Sequence, residues 1–352
     1  MQKLFSIKGR KISDKQPPLV VGEVSANHSN SLKKIFKIID CAAEIKLEAI
    51  KFQTFDLDNM TFNINKKEFL LRKYFKNKKW NNRSLYSLYK EAQIPLEWHK
   101  QIFKRAEKKG LICFSSVFDV AALKILQNLN CPAYKIASLE SLHYPLIEKV
   151  SKLRKPLIIS TGTLSFNEIL NLISFLKKIK SKFALLHCLT QYPGEIKNCN
   201  LKTISYLKEN YSFPVGYSDH TKGSLAALSA VSMGSNIIEK HFMLKEGERS
   251  LDSDFSFGPE RMEKLIIDSK EIWKSLGKVK KNITYDERFY RRFRRSIYIS
   301  ENILPGTKIN HKNIKIIRPG KGLEPKYYDK ILGKKAKVKL SKGEPLKWSH
   351  LK

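Results

Sequence analysis

The stretch that decides the fold reads Pro214-Val215-Gly216-Tyr217-Ser218-Asp219-His220-Thr221, then a helical pattern over residues 225–233, then Asn236-Ile237-Ile238-Glu239-Lys240-His241-Phe242. Each outer segment is a short apolar run that turns polar at its end, as a buried parallel strand does. A helix between two such runs makes a strand–helix–strand unit with neighbouring parallel strands. His220 and His241 then fall at the same end. Two imidazoles side by side at the mouth of a sheet or barrel suit one divalent metal.

Working outward, the same kind of run recurs at Leu19-Val20-Val21-Gly22-Glu23, Ala49-Ile50-Lys51-Phe52-Gln53, Ile112-Cys113-Phe114-Ser115-Ser116 and Ala133-Tyr134-Lys135-Ile136-Ala137-Ser138. Two more follow, Pro156-Leu157-Ile158-Ile159-Ser160-Thr161 and Phe183-Ala184-Leu185-Leu186-His187-Cys188, which with the opening pair makes eight strands. Helical patterns separate most of them, over residues 32–45, 98–109, 121–129 and 166–180. This alternation predicts an α/β chain closed into a (β/α)8 TIM barrel. A doubly wound open sheet is the competing arrangement, but no strand leads into a glycine-rich dinucleotide or P-loop fingerprint. The strand ends argue for the barrel too. Glu23 with Asn27 and His28, Lys51 and Gln53, Lys135 and Ser138, Ser160 and Thr161, Thr190 and Tyr192, Ser218 to His220, and Glu239 to His241 all follow apolar runs. Catalytic groups of such barrels stand on that carboxyl-end face.

One connection, residues 55–109, is much longer than the rest and carries Trp80, Tyr86, Tyr89 and Trp98 with a helical pattern at 84–90. Long barrel loops cover the mouth and contact substrate; the aromatics there either face a ligand or pack the loop. After Gly277 the pattern changes: Arg288 to Arg295 is basic and aromatic, and then short runs at 296–299, 314–317 and 336–338 are divided by Pro305-Gly306, Pro319-Gly320 and Lys342-Gly343. We therefore expect a catalytic barrel over 1–280 with an N-terminal β-hairpin, a linker over 281–295 and a small domain over 296–352.

The 352 residues and 42% hydrophobic content support a large domain and a small one. Residues 1–11 lack the apolar core of a signal peptide. No run is long enough to cross a bilayer. Five scattered cysteines without CxxC spacing read as reduced thiols of a cytoplasmic protein. The net charge of +34 raises the question of nucleic acid. Lysine, however, is spread along the whole chain as a biased composition would spread it, and a positive field equally draws anionic small substrates to an enzyme. No nucleic acid and no membrane are expected as partners.

Two chemistries suit these residues. His220 and His241 supply two ligands and leave positions open for substrate and water, a set that suits Mn2+ or Co2+, with Mg2+ also considered. Glu23 and Asp252 can supply the carboxylate that activates water. Alternatively, Lys51, Lys135 or Lys240 can form a Schiff base with a carbonyl substrate, or the three cations can clamp a doubly anionic one.

The motifs Gly22-Glu23-Val24-Ser25-Ala26-Asn27-His28, Lys51-Phe52-Gln53-Thr54, Tyr134-Lys135-Ile136-Ala137-Ser138, Gly216-Tyr217-Ser218-Asp219-His220-Thr221 and Glu239-Lys240-His241-Phe242 resemble, in order, those of the sialic acid synthase family. Arg294-Arg295-Ser296 and Arg318-Pro319-Gly320 are similar to the antifreeze-like (SAF) domain that ends its members. Within the family, the runs 85–92 and 95–99 and Ala137 look more like the pseudaminic acid synthases than the sialic acid synthases, which have Pro at that position and Asn at the position of Thr190. N-acetylneuraminate and legionaminate synthesis are the alternatives.

The resemblance implies a condensation of phosphoenolpyruvate with an acetamido sugar and water, releasing phosphate. It implies catalytic roles for Glu23, Asp252, His220 and His241, with a divalent metal on the two histidines. It also implies substrate contacts from Asn27, Lys51, Gln53, Lys135, Ser138, Ser160, Thr161, Thr190, Tyr192, Ser218 and Lys240. Arg318 is implied to reach the partner's sugar in a domain-swapped homodimer.

Overall fold

The computed structural model describes residues 5–71 and 79–352; residues 1–4 and 72–78, parts of the N-terminal segment and of the long connection, lie outside them. The chain divides into two compact units, Met1–Gly277 and Lys278–Lys352. A short antiparallel hairpin, Ser6–Ile7 with Arg10–Lys11, precedes the first barrel strand. No helix of the described residues is long and apolar enough to cross a membrane.

Eight parallel strands close a barrel in chain order: β1 (Leu19–Glu23), β2 (Ala49–Thr54), β3 (Ile112–Val117), β4 (Tyr134–Ile136), β5 (Leu157–Ser160), β6 (Phe183–Cys188), β7 (Val215–Asp219) and β8 (Ile237–His241), with β8 pairing β1. Almost every strand residue is buried, because one face fills the barrel and the other lies under helices. Gly216 is required for closure: a Cβ there would run into the Ile237 carbonyl and the Leu186 side chain.

The helices lie outside the strands: α1 (Leu32–Glu44), α2 (His99–Lys108), α3 (Val120–Asn128), α4 (Tyr144–Lys152), α5 (Phe166–Lys178), α6 (Lys202–Asn210), α7 (Leu225–Ser232) and α8 (Pro259–Leu276). Helix α1 shows why they sit there. Ile35, Ile38, Ile39 and Ala42 recur at helical spacing and are all buried, each isoleucine contributing about 1.5–3 kcal/mol. Ser31 starts this helix by accepting a hydrogen bond from the Lys34 N–H at 3.2 Å, and Asp119 does the same for α3 from the Ala122 N–H at 2.8 Å.

The C-terminal unit has its own core of Ile297, Ile299, Ile303, Ile309, Ile314, Ile331, Leu340 and Leu346. Strands β9 (Ser296–Ile299) and β10 (Ile314–Ile317) pair antiparallel, as their runs predict. The run at 336–338, expected as a strand, forms only single-residue bridges. The reason is divided pairing. The Ala336 N–H donates to Thr307 O at 2.9 Å and the next one, from Lys337, to His350 O at 2.9 Å, so no ladder accumulates on either side.

Candidate active site

A cavity of about 700 Å3 opens where the barrel strands end. The period-two alternation of a strand decides which side chains reach it. On β8, Glu239 and His241 point inward. Register then sets Ser218 beside Glu239, His241 beside Glu23 and Glu23 beside Lys51. Lys135 enters from β4.

The floor is a buried quartet of alternating charge. Lys135 Nζ lies 3.0 Å from Glu239 Oε1 and 3.3 Å from Oε2. Lys51 Nζ lies 3.7 Å from Glu239 Oε1, is ion-paired with Glu23 Oε2 and donates to Ser116 Oγ at 3.0 Å. Ser218 Oγ donates to Glu239 Oε1 at 3.0 Å. Burial alone would keep Glu239 protonated, but Lys135 and Lys51 outweigh it and hold its pKa at about 2. Glu23 behaves oppositely: burial, aided by the neighbouring Glu239 charge, raises its pKa despite Lys51. Burial and the Lys51 charge lower the pKa of Lys135, against the pull of Glu239. A carboxyl with a raised pKa beside cations is a usable proton acceptor, and the two ammonium groups suit the phosphate and carboxylate of one small anion.

His220 and His241 meet at the rim, ring centres 5.3 Å apart, inside the roughly 6 Å that a shared ion bound at about 2 Å permits. The aromatic ring of Phe255 backs both, at 6.0 and 4.7 Å. His220 Nδ1 sits 3.0 Å from the Leu189 carbonyl, which fixes it as a donor; against burial, the Cys188 thiol and this carbonyl raise the His220 pKa. His241 Nδ1 is buried with no hydrogen-bond partner, 3.7 Å from Asp252 Oδ2. Burial and the nearby His220, Lys51, Lys240 and Lys135 charges push the His241 pKa well down, so this imidazole is neutral and able to accept a cation. These two rings fit a divalent ion with two protein ligands. Among the described residues there is no group of three or more His, Cys, Asp or Glu arranged to hold one.

The opposite wall is apolar. Phe55, Met60, Leu71, Leu88, Tyr89, Phe118 and Leu139 line it. Trp80 and Tyr89 of the long connection face the cavity, whereas Trp98 packs on the barrel core. The Trp80 ring meets Tyr192 at a tilt with centres 5.3 Å apart, and Tyr192 in turn lies 4.3 Å from the His220 ring. Lys79 donates to Ser250 O at 3.0 Å and Asp254 Oδ1 at 2.7 Å, tying this connection to the loop that carries Asp252.

Glu23, Lys51, Gln53, Lys135, Ser138, Ser160, Thr190, Tyr192, Ser218, His220, His241 and Asp252 all line this one cavity. Four other expected contacts do not. Lys240, next along β8 from Glu239, points outward by strand parity; its ammonium donates to Asp219 Oδ2 at 2.8 Å, to Thr221 O and to Gly223 O, and sits 4.5 Å over the Phe257 ring. The three lysines therefore do not converge on one mouth. Asn27 is fully buried and ties the chain together, donating to Phe242 O at 3.0 Å and Ser256 Oγ at 2.9 Å and accepting from Ser250 Oγ at 2.5 Å. It positions the Asp252 loop, whose Oδ2 accepts from the Ala26 N–H at 3.2 Å. The Thr161 hydroxyl is spent on Leu186 O at 3.3 Å. Arg318 is an exposed residue of the C-terminal unit.

Sequence reading missed Glu239, Glu140, Ser116 and Cys188, which also line the cavity. Glu239 was legible, since it stands two residues before His241 and so shares its face. Glu140 lies on a short 3-10 turn, Ser138–Glu140, that no periodicity marks. Its Oε2 is buried without a hydrogen-bond partner, and burial raises its pKa to about 7.

The chain resembles known proteins over nearly its whole length. The NeuB family model matches residues 38–281 and the SAF domain model residues 294–352. A pseudaminic acid synthase of Campylobacter jejuni is 38% identical over 331 residues, covering 94% of this chain and 95% of that protein. One of Helicobacter pylori is 36% identical over 335 residues, with 94% and 97% covered. The crystal structure of an N-acetylneuraminic acid synthetase from Leptospira borgpetersenii serovar Hardjo-bovis superposes with a TM-score of 0.72 at 32% identity, covering 82% of this chain and 95% of that one. With a family model that matches most of the barrel unit and relatives at 36–38% identity over nearly the whole length, the chain belongs to the NeuB family.

Proposed function

We propose that the protein acts as a pseudaminic acid synthase, a transferase that joins phosphoenolpyruvate, 2,4-diacetamido-2,4,6-trideoxy-L-altrose and water to give pseudaminic acid and phosphate. The observation that carries this reading is one cavity with a cationic, hydrogen-bonding floor and an apolar wall, in a chain 36–38% identical to pseudaminic acid synthases. N,N'-diacetyllegionaminic acid synthase of C. jejuni is a more distant relative at 31% identity.

Lys51 and Lys135, with Ser160 and Ser218, hold the phosphate and carboxylate of phosphoenolpyruvate at the floor. The sugar lies above it against Tyr192 and Trp80, its methyl groups on the apolar wall and its amide or hydroxyl groups on Glu140, Gln53 and Asp252. A divalent ion (Mn2+, Co2+ or Mg2+) on His220 and His241 would polarise the aldehyde oxygen as a Lewis acid. C3 of phosphoenolpyruvate bonds to the aldehyde carbon, leaving an alkoxide there and positive charge at C2. Water adds at C2 and one of its protons passes through the Glu23 carboxylate to that alkoxide; the C–O bond to phosphate then breaks as the second proton leaves with the phosphate and C2 becomes a ketone. Lys51 and Lys135 stabilise the negative charge on the departing phosphate, while Asp252 orients the rim.

The C-terminal unit completes the site from a second copy, with Arg318 on the sugar's acetamido group in a domain-swapped dimer. The use of phosphoenolpyruvate places the enzyme in the cytoplasm. The direct test is phosphate release from phosphoenolpyruvate with each of three sugars, the altrose derivative, its legionaminate counterpart and N-acetylmannosamine, with Mn2+ and with chelator. Release fastest with the altrose derivative and abolished by chelator is expected. Preference for another sugar, or a lysine adduct trapped by borohydride during metal-independent turnover, would overturn the reading. Arg318→Ala is expected to raise the sugar KM and lower kcat; unchanged values would remove the swapped-domain role.

A further inference from the structure

The C-terminal unit holds a second cleft, of about 600 Å3, that the proposed reaction does not use. Arg291, Arg292, Arg294, Arg295 and Lys326 line it, with Glu324 as the one carboxylate among its lining residues. The backbone that carries these arginines is held tightly. The Gly320 N–H donates to Arg292 O at 2.9 Å, and Ser296 Oγ accepts from the Gly322 N–H at 2.9 Å while donating to Pro319 O at 2.8 Å. A Cβ on Gly320 would lie 3.3 Å from the carbonyls of both Arg291 and Arg294, and one on Gly322 would run into the Ile297 carbonyl. Close approach of the two segments is what sets the arginines around one space.

Their charge is answered only in part within the unit, by Glu324, whose pKa Lys326 lowers with help from Arg294 and Arg291. Lys326 occupies Glu324 at 2.8 Å, and Arg291, Arg294 and Arg295 have no ion-pair partner among the described residues. Residues 278–352 contain 22 Lys and Arg against 6 Asp and Glu, a far denser excess than in the rest of the chain. Guanidinium groups crowded together repel one another, and their planar forks match phosphate oxygens two at a time. The volume falls in the range of small-molecule sites. Phe289 carries Arg292 over its ring at 4.7 Å and makes a T-shaped contact with Phe293 at 5.8 Å, so the feature on offer is a set of phosphate forks rather than a stacking platform.

We propose that this cleft binds a small oligophosphate anion, of the pyrophosphate or nucleoside di- or triphosphate class. The test is calorimetric titration of the full chain with inorganic pyrophosphate at low salt, repeated with Arg291→Gln, Arg294→Gln and Arg295→Gln, each checked for folding by thermal unfolding. The expected result is one pyrophosphate per cleft, weakened by about tenfold in each folded variant. Three positions keep the test decisive if one variant fails to fold. Equal affinity for pyrophosphate and a nucleoside diphosphate would identify the phosphates alone as the ligand, and a tighter nucleotide would add recognition of its base; both support the cleft. Absence of binding overturns the proposal, as does binding unchanged in all three variants, which would place the anion in the barrel. Retention of RNA without pyrophosphate binding also overturns it, in favour of a nucleic-acid surface.

Discussion

Lys135 and Lys240 are chemically alike, yet they serve opposite sides of the barrel wall. Both are fully buried, both sit close to a carboxylate (Glu239 at 3.0 Å, Asp219 at 2.8 Å), and in both burial lowers the pKa against that carboxylate's pull. Lys135 opens on the cavity, with Lys51 beyond its partner carboxylate. Lys240 lies behind the wall, sharing the Phe257 ring with Arg261 of α8 and holding the loop after β7 through the Thr221 and Gly223 carbonyls. A buried ion pair is therefore no sign of catalysis by itself. What separates the two is whether a substrate anion can replace or extend the pair.

The sharpest way to break this comparison is substitution. Lys135→Ala is expected to lower kcat/KM for phosphoenolpyruvate by about 10^3-fold, roughly 4 kcal/mol of transition-state stabilisation, with the sugar KM little changed. Lys240→Ala leaves Asp219 buried and unpaired, so it is expected to cost about 3–5 kcal/mol of stability in urea unfolding while the folded fraction keeps its phosphoenolpyruvate KM. Equal kinetic losses in the two variants would erase the distinction.

A buried base without a carboxylate partner sharpens the same point. His28 donates through Nε2 to Ala92 O at 3.0 Å and accepts the Asn30 N–H on Nδ1 at 3.0 Å, a neutral arrangement. Burial, with Lys34 and His99 nearby, pushes its pKa down to about 4 despite the Ala92 bond. The unfolded chain binds this proton near pH 6.5 and the folded chain does not, so stability falls as pH drops from about 6.5 to 4, by about 3 kcal/mol. His28→Gln should flatten that part of the stability profile; an unchanged slope would assign it to other groups.

The smallest expected effect concerns Glu140, a carboxyl that lines the cavity and whose Oε2 has no hydrogen-bond partner. Because burial raises its pKa to about 7, the carboxylate forms as pH rises through neutrality, and the sugar KM should fall over that range. Glu140→Gln is expected to remove this pH dependence and to cost about 10- to 100-fold in kcat/KM for the sugar, with the phosphoenolpyruvate KM unmoved. A pH profile identical to that of the parent chain would exclude Glu140 from the sugar site.

Much of the site was legible because strand ends declare themselves. His220 and His241 follow apolar runs one strand–helix unit apart, and their rings do meet at one rim. Glu23, Lys51 and Lys135 were readable the same way. Lys240 was not sorted correctly, since a strand tip names a neighbourhood whereas parity names a face; Glu239, two residues before His241, shares its face and could have been read. Asn27 reads as a substrate contact among its polar neighbours but is consumed by Phe242, Ser250 and Ser256, which lie more than two hundred residues away. The apolar wall drew Leu71, Trp80 and Leu88 from a connection whose composition alone left their direction open.

Local sequence by itself determined the eight strands, their order, the carboxyl-end polar rim and the separate C-terminal unit, because hydrophobic period and turn chemistry act over a few residues. Tertiary structure alone decided which cation meets which carboxylate, which face of β8 looks into the cavity and which carboxyl is left without a partner. Those outcomes depend on barrel closure, which brings β1 beside β8 and excludes water from the quartet. Only within that closed, buried space do the pKa values of Lys51, Lys135, Glu23 and Glu239 move as they do, with Glu23 raised and Lys135 lowered while Glu239 and Lys51 are held charged.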